Sequence, residues 1–259
     1  MAARLIHAVR PAGTAGHVCA LVAASAFVIC FGAHAGLRAA GPGGNGGNVP
    51  ILQRFLALED PTPSEIRALR HLDARNEHFD STAWMDVWTE LDRAGFRYSI
   101  VAEGGSEYIR SRVFRTSLET ERKMWAEGSP DRASFTPDNY TFEDAAHATD
   151  GLASLDVKPR RKDVLLVEGR IFLNPDDGDL VRVEGRLVKT PSFWTRRVEI
   201  VKWFRRIEGF RMPVALETVA SILIAGKSTY RVTYDYESVD GHRVGSPQPR
   251  IRQTAAAQR

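Results

Sequence analysis

Beyond residue 30 the chain contains no cysteine, since its only two are Cys19 and Cys30. If the segment holding them is removed, disulfides, thiolate metal sites and cysteine nucleophiles are excluded together. The chain also lacks a charge bias. Residues 1–35 carry Arg4 and Arg10 and no acidic residue, and without them 33 basic face 32 acidic residues. A nearly neutral chain without a basic tract of five is a poor nucleic-acid binder. Its densest cluster, Lys158-Pro159-Arg160-Arg161-Lys162, is broken by proline and reads as a solvated loop. After residue 31 no long apolar run remains.

Before that point there is one. Arg4 and Arg10 precede an apolar stretch, Val18 to Phe31, and Ala33-His34-Ala35 forms an A-x-A site. The stretch is short for a membrane span, which needs about 20 apolar residues. The pattern predicts a Sec-type signal peptide over 1–35, cleaved after Ala35, and a periplasmic protein that does not span the membrane. Ile29 before Cys30 excludes lipidation at that cysteine. The Gly-rich stretch 36–48 reads as a flexible linker, lacking the strand and the Lys-Ser/Thr pair of a phosphate loop. A folded domain is expected over 49–241 and a loose polar tail over 242–259.

Within the domain, Ile51, Leu52, Phe55 and Leu56 recur at helical spacing. Thr62-Pro63-Ser64-Glu65 has the form of a capping box and predicts a second helix through Ile66 and Leu69, fading near Leu72. Residues 83–91 and 96–102 are rich in β-formers around an Asp92-Arg93-Ala94-Gly95 turn and predict a hairpin. Ser106 reads as the N-cap of an amphipathic helix reaching about Glu127.

From Gly151 to Val239 the pattern is all strand. Val167-Glu168-Gly169-Arg170-Ile171 is echoed by Val183-Glu184-Gly185-Arg186-Leu187 around an Asn174-Pro175-Asp176-Asp177-Gly178 turn. The register expected sets Val167 opposite Leu187, Ile171 opposite Val183 and Leu173 opposite Val181. Its other face then joins Glu168 to Arg186 and Arg170 to Glu184. Further strands are expected over 193–205, 214–225 and 230–236, with turns at Glu208-Gly209 and Gly226-Lys227. The fold class expected is α+β, mainly β: an antiparallel sheet with one apolar face, covered by the early helices.

The motif Pro191-Ser192-Phe193-Trp194 and a turn over Gly209-Phe210-Arg211-Met212-Pro213, within the meander from Arg161 to Tyr236, resemble those of the outer-membrane lipoprotein-sorting (LolA/LolB-like) superfamily, in a branch of uncharacterised periplasmic proteins. The resemblance covers roughly 49–241. It implies a curved, incomplete antiparallel β-barrel with a helical lid and a cavity for acyl chains, a mode of binding that needs no catalytic residue. No ligand-contact residue carries over.

A search for chemistry finds little. His71 and His78 would share a helix face but lack a third ligand, Asp176, Asp177 and Asp179 fall short of a calcium loop, and no G-x-S-x-G occurs. Neither metal nor cofactor is expected. Aromatic and β-branched residues on the apolar faces are the candidate ligand cavity: Trp88, Ile171, Val183, Trp194, Val198, Ile200, Ile222, Ile224, Val232 and Tyr234. Two readings stay open. One is a carrier of lipid or lipidated protein, and the other an envelope module that binds a protein partner with a self-filled barrel.

Overall fold

The computed structural model describes residues 50–127, 133–145 and 150–250. The leader and the linker therefore lie outside the described residues, as does His147. Helix α1 spans Ile51–Ala57, where the sequence places it. Three strands follow: β1 (Ile66–Asn76), β2 (Ser81–Asp92) and β3 (Gly95–Gly105). A helical segment comes next, made of α2 (Glu107–Ile109), a π-helical turn over Arg110–Arg115 and α3 (Thr116–Ala126). Ser106 caps it by accepting a hydrogen bond from the Ile109 N–H.

Seven more strands complete the meander: β4 (Tyr140–Asp144), β5 (Ala153–Pro159), β6 (Val167–Leu173), β7 (Leu180–Leu187), β8 (Thr195–Ile207), β9 (Phe210–Ile222) and β10 (Gly226–Val239). A two-residue β11 (His242–Arg243) pairs with β10. The sheet order is β3-β2-β1-β10-β9-β8-β7-β6-β5-β4, antiparallel at every pairing. Among the described residues β3 and β4 do not pair, so the barrel is incomplete. One apolar cluster draws buried side chains from every strand β1–β10. The face that bears it is the inner face.

The second early helix is absent. Residues 66–76 form β1, paired along its length with both β2 and β10. Ser64 turns away from capping. Its N–H and hydroxyl both donate to Asp240 Oδ1, at 2.9 and 2.6 Å. The Arg, Ala and Leu content of β1 favours a helix locally, but eleven residues flanked by strands on both sides satisfy their backbone in the ladder instead. Burial also hides the strand period, because Leu69 and His71 on the outer face are as enclosed as Ala68 and Leu72 on the inner face.

The β6–β7 register matches the expectation at Val167–Leu187, Glu168–Arg186 and Ile171–Val183. At its turn end a bulge sets Leu173 opposite Leu180, not Val181. Glu168 and Arg186 form the expected ion pair at 2.9 Å. Arg170 and Glu184 are cross-strand neighbours but form ion pairs elsewhere, Arg170 with Asp156 and Glu184 with Arg182, each at 2.8 Å. Gly169 and Gly185 face each other. A Cβ on Gly169 would lie 2.1 Å from the Glu184 carbonyl oxygen, and one on Gly185 would lie 2.5 Å from that of Glu168. The neighbours that would have to yield are backbone, joined at Gly185 by a Val167 methyl group at 2.5 Å. Gly169→Ala or Gly185→Ala should therefore cost about 1–3 kcal/mol by chemical denaturation, and wild-type stability in either would show that the strands can part at this point.

Two further expectations need correction. In Gly209-Phe210-Arg211-Met212-Pro213 only Gly209 belongs to a turn. Glu208 and Gly209, with φ of +50° and +83°, make the tight hairpin turn, and β9 begins at Phe210. The tail read as loose is held as far as Arg250. Past β11, the Val244 N–H donates to the Glu237 carbonyl and Arg250 is bonded to β1 and β2.

Candidate functional site

The inner face of β1, β2, β3 and β10 is covered by the helical segment after β3, not by the early helices. The alternation of β1 aims Ala68, Arg70, Leu72 and Ala74 inward, opposite Tyr236, Tyr234, Val232 and Tyr230 of β10. Phe114 and Leu118 come down from the helical segment into the same cluster, and Phe114 meets Tyr230 with ring centroids 6.0 Å apart. Farther along, the contact becomes polar. Arg70 Nη1 and Nη2 donate to Glu121 Oε2 and Oε1 of α3, at 2.7 and 3.0 Å. Both side chains are under 10% exposed. The Arg70 guanidinium also lies 5.2 Å from the Phe96 ring and 5.0 Å from the Tyr234 ring. The Tyr98 hydroxyl donates to Glu119 Oε1 at 2.5 Å, and burial with this carboxylate pushes the phenol up to about 12.

Beside this ion pair is a void of about 20 Å³, lined among others by Ala68, Leu91, Phe96, Trp125, Tyr234 and Tyr236. That is room for about one water molecule. Beside the Arg70–Glu121 pair the inner face is therefore filled by the protein's own side chains in this conformation.

Of the candidate cavity residues, Ile171, Val183, Val198, Ile200, Ile222, Val232 and Tyr234 belong to the one apolar cluster. Trp194 is half-buried against its edge, in the loop before β8. Two candidates are misplaced. Trp88 lies on the outer face, paired with Leu69 and Ser99, with the Arg67 guanidinium 4.7 Å from its ring. Ile224 is exposed in the turn after β9, past the end of the alternation.

Sequence reading passed over Lys202. The alternation Val198-Ile200-Lys202-Phe204 sets it on the inner face of β8, where it is fully buried with its ammonium 5.1 Å from the Phe204 ring centroid. The period-two pattern was the available signal.

Comparison with solved structures finds likenesses at low identity. A solved outer-membrane lipoprotein-sorting protein domain from Vibrio parahaemolyticus matches with 12% identity, 81% of this chain, 95% of that chain and a TM-score of 0.39. A LolA superfamily protein from Nitrosomonas europaea matches with 12% identity over 78% and 94% of the two chains, TM-score 0.33. A DUF1329 family protein from Desulfovibrio piger matches with 11% identity over 71% and 87%, TM-score 0.33. No family model matches the chain, and no curated protein does.

On the outer face the histidines depart from expectation. His71 is in β1 and His78 in the turn after it, so no helix face joins them. His71 Nδ1 meets Asp86 Oδ1 at 2.8 Å and Nε2 meets Asp235 Oδ2 at 3.0 Å. A ring with a carboxylate at each nitrogen is best served when both nitrogens carry protons. Arg250 closes the cluster. Its N–H donates to Asp86 Oδ2 at 2.7 Å and its guanidinium grips Asp73 through two bonds of 2.8 Å.

The hydrogen bond to Asp86 raises the His71 pKa above its ordinary 6.5, against burial and Arg250. Burial pushes the Asp86 carboxyl up, but bonds from His71 and the Arg250 N–H outweigh it and hold the pKa below the ordinary 3.8. A raised histidine stabilises fully below its unfolded pKa and loses that contribution as pH climbs through the folded pKa; a lowered aspartate loses its own as pH falls. The contribution of this cluster to folding stability should therefore be largest between about pH 4 and 6.5. Stability to urea should fall from pH 6 to pH 9, and His71→Gln should flatten the difference. Equal stability at both pH values in the wild type would contradict this role for His71.

Proposed function

We propose that the protein binds an acyl chain between the inner face of the sheet and α3, as a carrier of lipid or lipidated protein outside the cytoplasm, and that it does so without catalysis. The observation that supports this most is the Arg70–Glu121 ion pair holding a helix over an apolar face. A buried ion pair returns little net stability compared with apolar packing, because both charges must shed water. A helix latched this way can leave more easily, since its charges regain water on opening. The face it uncovers is continuous and apolar. Burying an acyl chain contributes about 0.8 kcal/mol per methylene, so a dozen carbons contribute on the order of 10 kcal/mol to offset the packing lost by α3.

The competing reading, a self-filled barrel that binds a protein partner, draws on the smallness of the void. The two part on whether α3 moves. In the variant Tyr98→Cys/Glu119→Cys, a short bis-thiol reagent would tie α3 to β3. Uptake of a fluorescent fatty acid should occur in the untied variant and fall at least about tenfold in the tied one. Equal uptake in both forms, or none in either, would count against the lid.

A further inference from the structure

Five of the six large exposed apolar side chains among the described residues gather at one end of the sheet: Phe79, Tyr108, Phe193, Leu223 and Ile224, which are 43% to 87% exposed. Phe79 sits in the β1–β2 turn, Phe193 in the β7–β8 loop, and Leu223 and Ile224 in the β9–β10 turn. Tyr108 opens the helical segment, where the Ser106 N–H donates to the Thr82 carbonyl beside the start of β2.

These loops are tied to one another. The Leu223 N–H donates to the Trp194 carbonyl at 2.9 Å, joining the β7–β8 loop to the β9–β10 turn. Asn76 joins that turn to the next: its amide donates to the Ala225 carbonyl at 2.7 Å and its carbonyl oxygen accepts from the Phe79 N–H at 2.8 Å. The Glu77 N–H donates to the Lys227 carbonyl at 3.0 Å. The tips are thus held in fixed relation by backbone bonds and by the Asn76 side chain. Phe193 stands 87% exposed, its ring packed edge-on against Trp194 at 5.5 Å.

Exposed Arg75, Arg112, Lys189, Arg196 and Lys227 surround the tips, against exposed Glu77, Asp80 and Glu107. The Arg197–Glu199, Arg75–Asp80 and Lys227–Glu77 pairs cancel themselves, which leaves Arg112, Lys189 and Arg196 against Glu107. The end of the molecule is thus apolar at its points and mildly cationic at its margin.

We infer that this end docks on an anionic lipid surface, with Phe79, Phe193, Leu223 and Ile224 entering the boundary between headgroups and acyl chains. Four apolar side chains projecting from three separate connections form points, not a groove. Points suit a fluid phase that closes around each of them, and a cationic margin suits anionic headgroups. Partition of aromatic and aliphatic tips supplies the affinity, and the margin adds a part that weakens with salt. The surface is at the opposite end of β1 and β10 from the void beside Arg70, and the inference does not depend on acyl binding.

The test is flotation of the protein, in the form its own cells produce, with vesicles of phosphatidylethanolamine and phosphatidylglycerol. The wild type should float. The variant F79S/F193S/L223S/I224S should float at least about tenfold less and keep its thermal midpoint, since these side chains pack on little. Val101→Ser, at the sixth exposed apolar position, should float as the wild type does. A wild type that stays with the soluble fraction would overturn the inference, and so would a variant that floats equally. A wild-type dimer that the four substitutions convert to a monomer, with no flotation of either, would assign the surface to a second copy of the chain instead.

Discussion

Replacing Glu121 by alanine should lower stability to urea by about 3–5 kcal/mol, an unusually large effect for one side chain on a covering helix. The Arg70 guanidinium would stay enclosed between Phe96 and Tyr234 with its carboxylate partner gone. Arg70→Ala should cost a similar amount by stranding Glu121. The double variant Arg70→Met/Glu121→Leu should behave differently. With both charges replaced by apolar groups of similar size, stability should return to that of the wild type or exceed it. Stability and acyl uptake should then separate, because an apolar seam removes the gain in hydration that favours opening. A double variant as unstable as the single ones would show that the pair contributes specific geometry that packing cannot replace.

Asp179→Ala should be comparably damaging, at about 3–5 kcal/mol, for a related reason at the other edge of the core. The Asp179 carboxylate accepts from Arg206 Nε and Nη2 at 3.0 and 2.8 Å, from Arg211 Nε at 2.9 Å and from the Leu180 N–H at 3.0 Å. Arg211 also donates to Asp60 at 2.9 Å and lies 5.7 Å from the ring of Phe55, the fully buried anchor of α1. Loss of Asp179 takes the bonded carboxylate from Arg206, leaves Arg211 with Asp60, and loosens the seat of α1. Protection of the α1 amides from exchange should fall along with global stability. By contrast, Glu168→Ala breaks an exposed pair with Arg186 and should stay within about 1 kcal/mol of the wild type. Similar costs for both variants would mean that burial of the Asp179 cluster is not what gives it weight.

The parts of the fold that were legible share a property: their signal is local. The β6–β7 hairpin announces itself through an echoed pentapeptide, paired glycines and a turn of Asn, Pro, Asp and Gly, so its register followed. Tyr230, Val232, Tyr234 and Tyr236 alternate because β10 has one buried and one wetter face. What was illegible depends on contacts far along the chain. Strand β1 looks helical because its outer face is not left to water: residues more than 160 positions later, Asp235 and Arg250, enclose His71 and Asp86. The same covering made residues 242–250 look loose. Trp88 was assigned inward on hydrophobicity alone, whereas its parity with Trp84 and Asp86 sets it on the outer face. Arg70 and Glu121, 51 residues apart, give no sequence signal that they meet. A charged residue in an apolar alternation, as with Arg70 and Lys202, was the clue available.

The central claim is that the inner face accepts an acyl chain when α3 lifts. Lipid mass spectrometry on an organic extract of the protein, isolated from its own cells without detergent, tests it most directly. The account predicts an acyl lipid in stoichiometric amount, absent from a control protein taken from the same fraction, and lost from the form with α3 tied to β3. An extract free of lipid, from a protein that also takes up no fluorescent fatty acid, would contradict the claim and leave the inner face as a packed core.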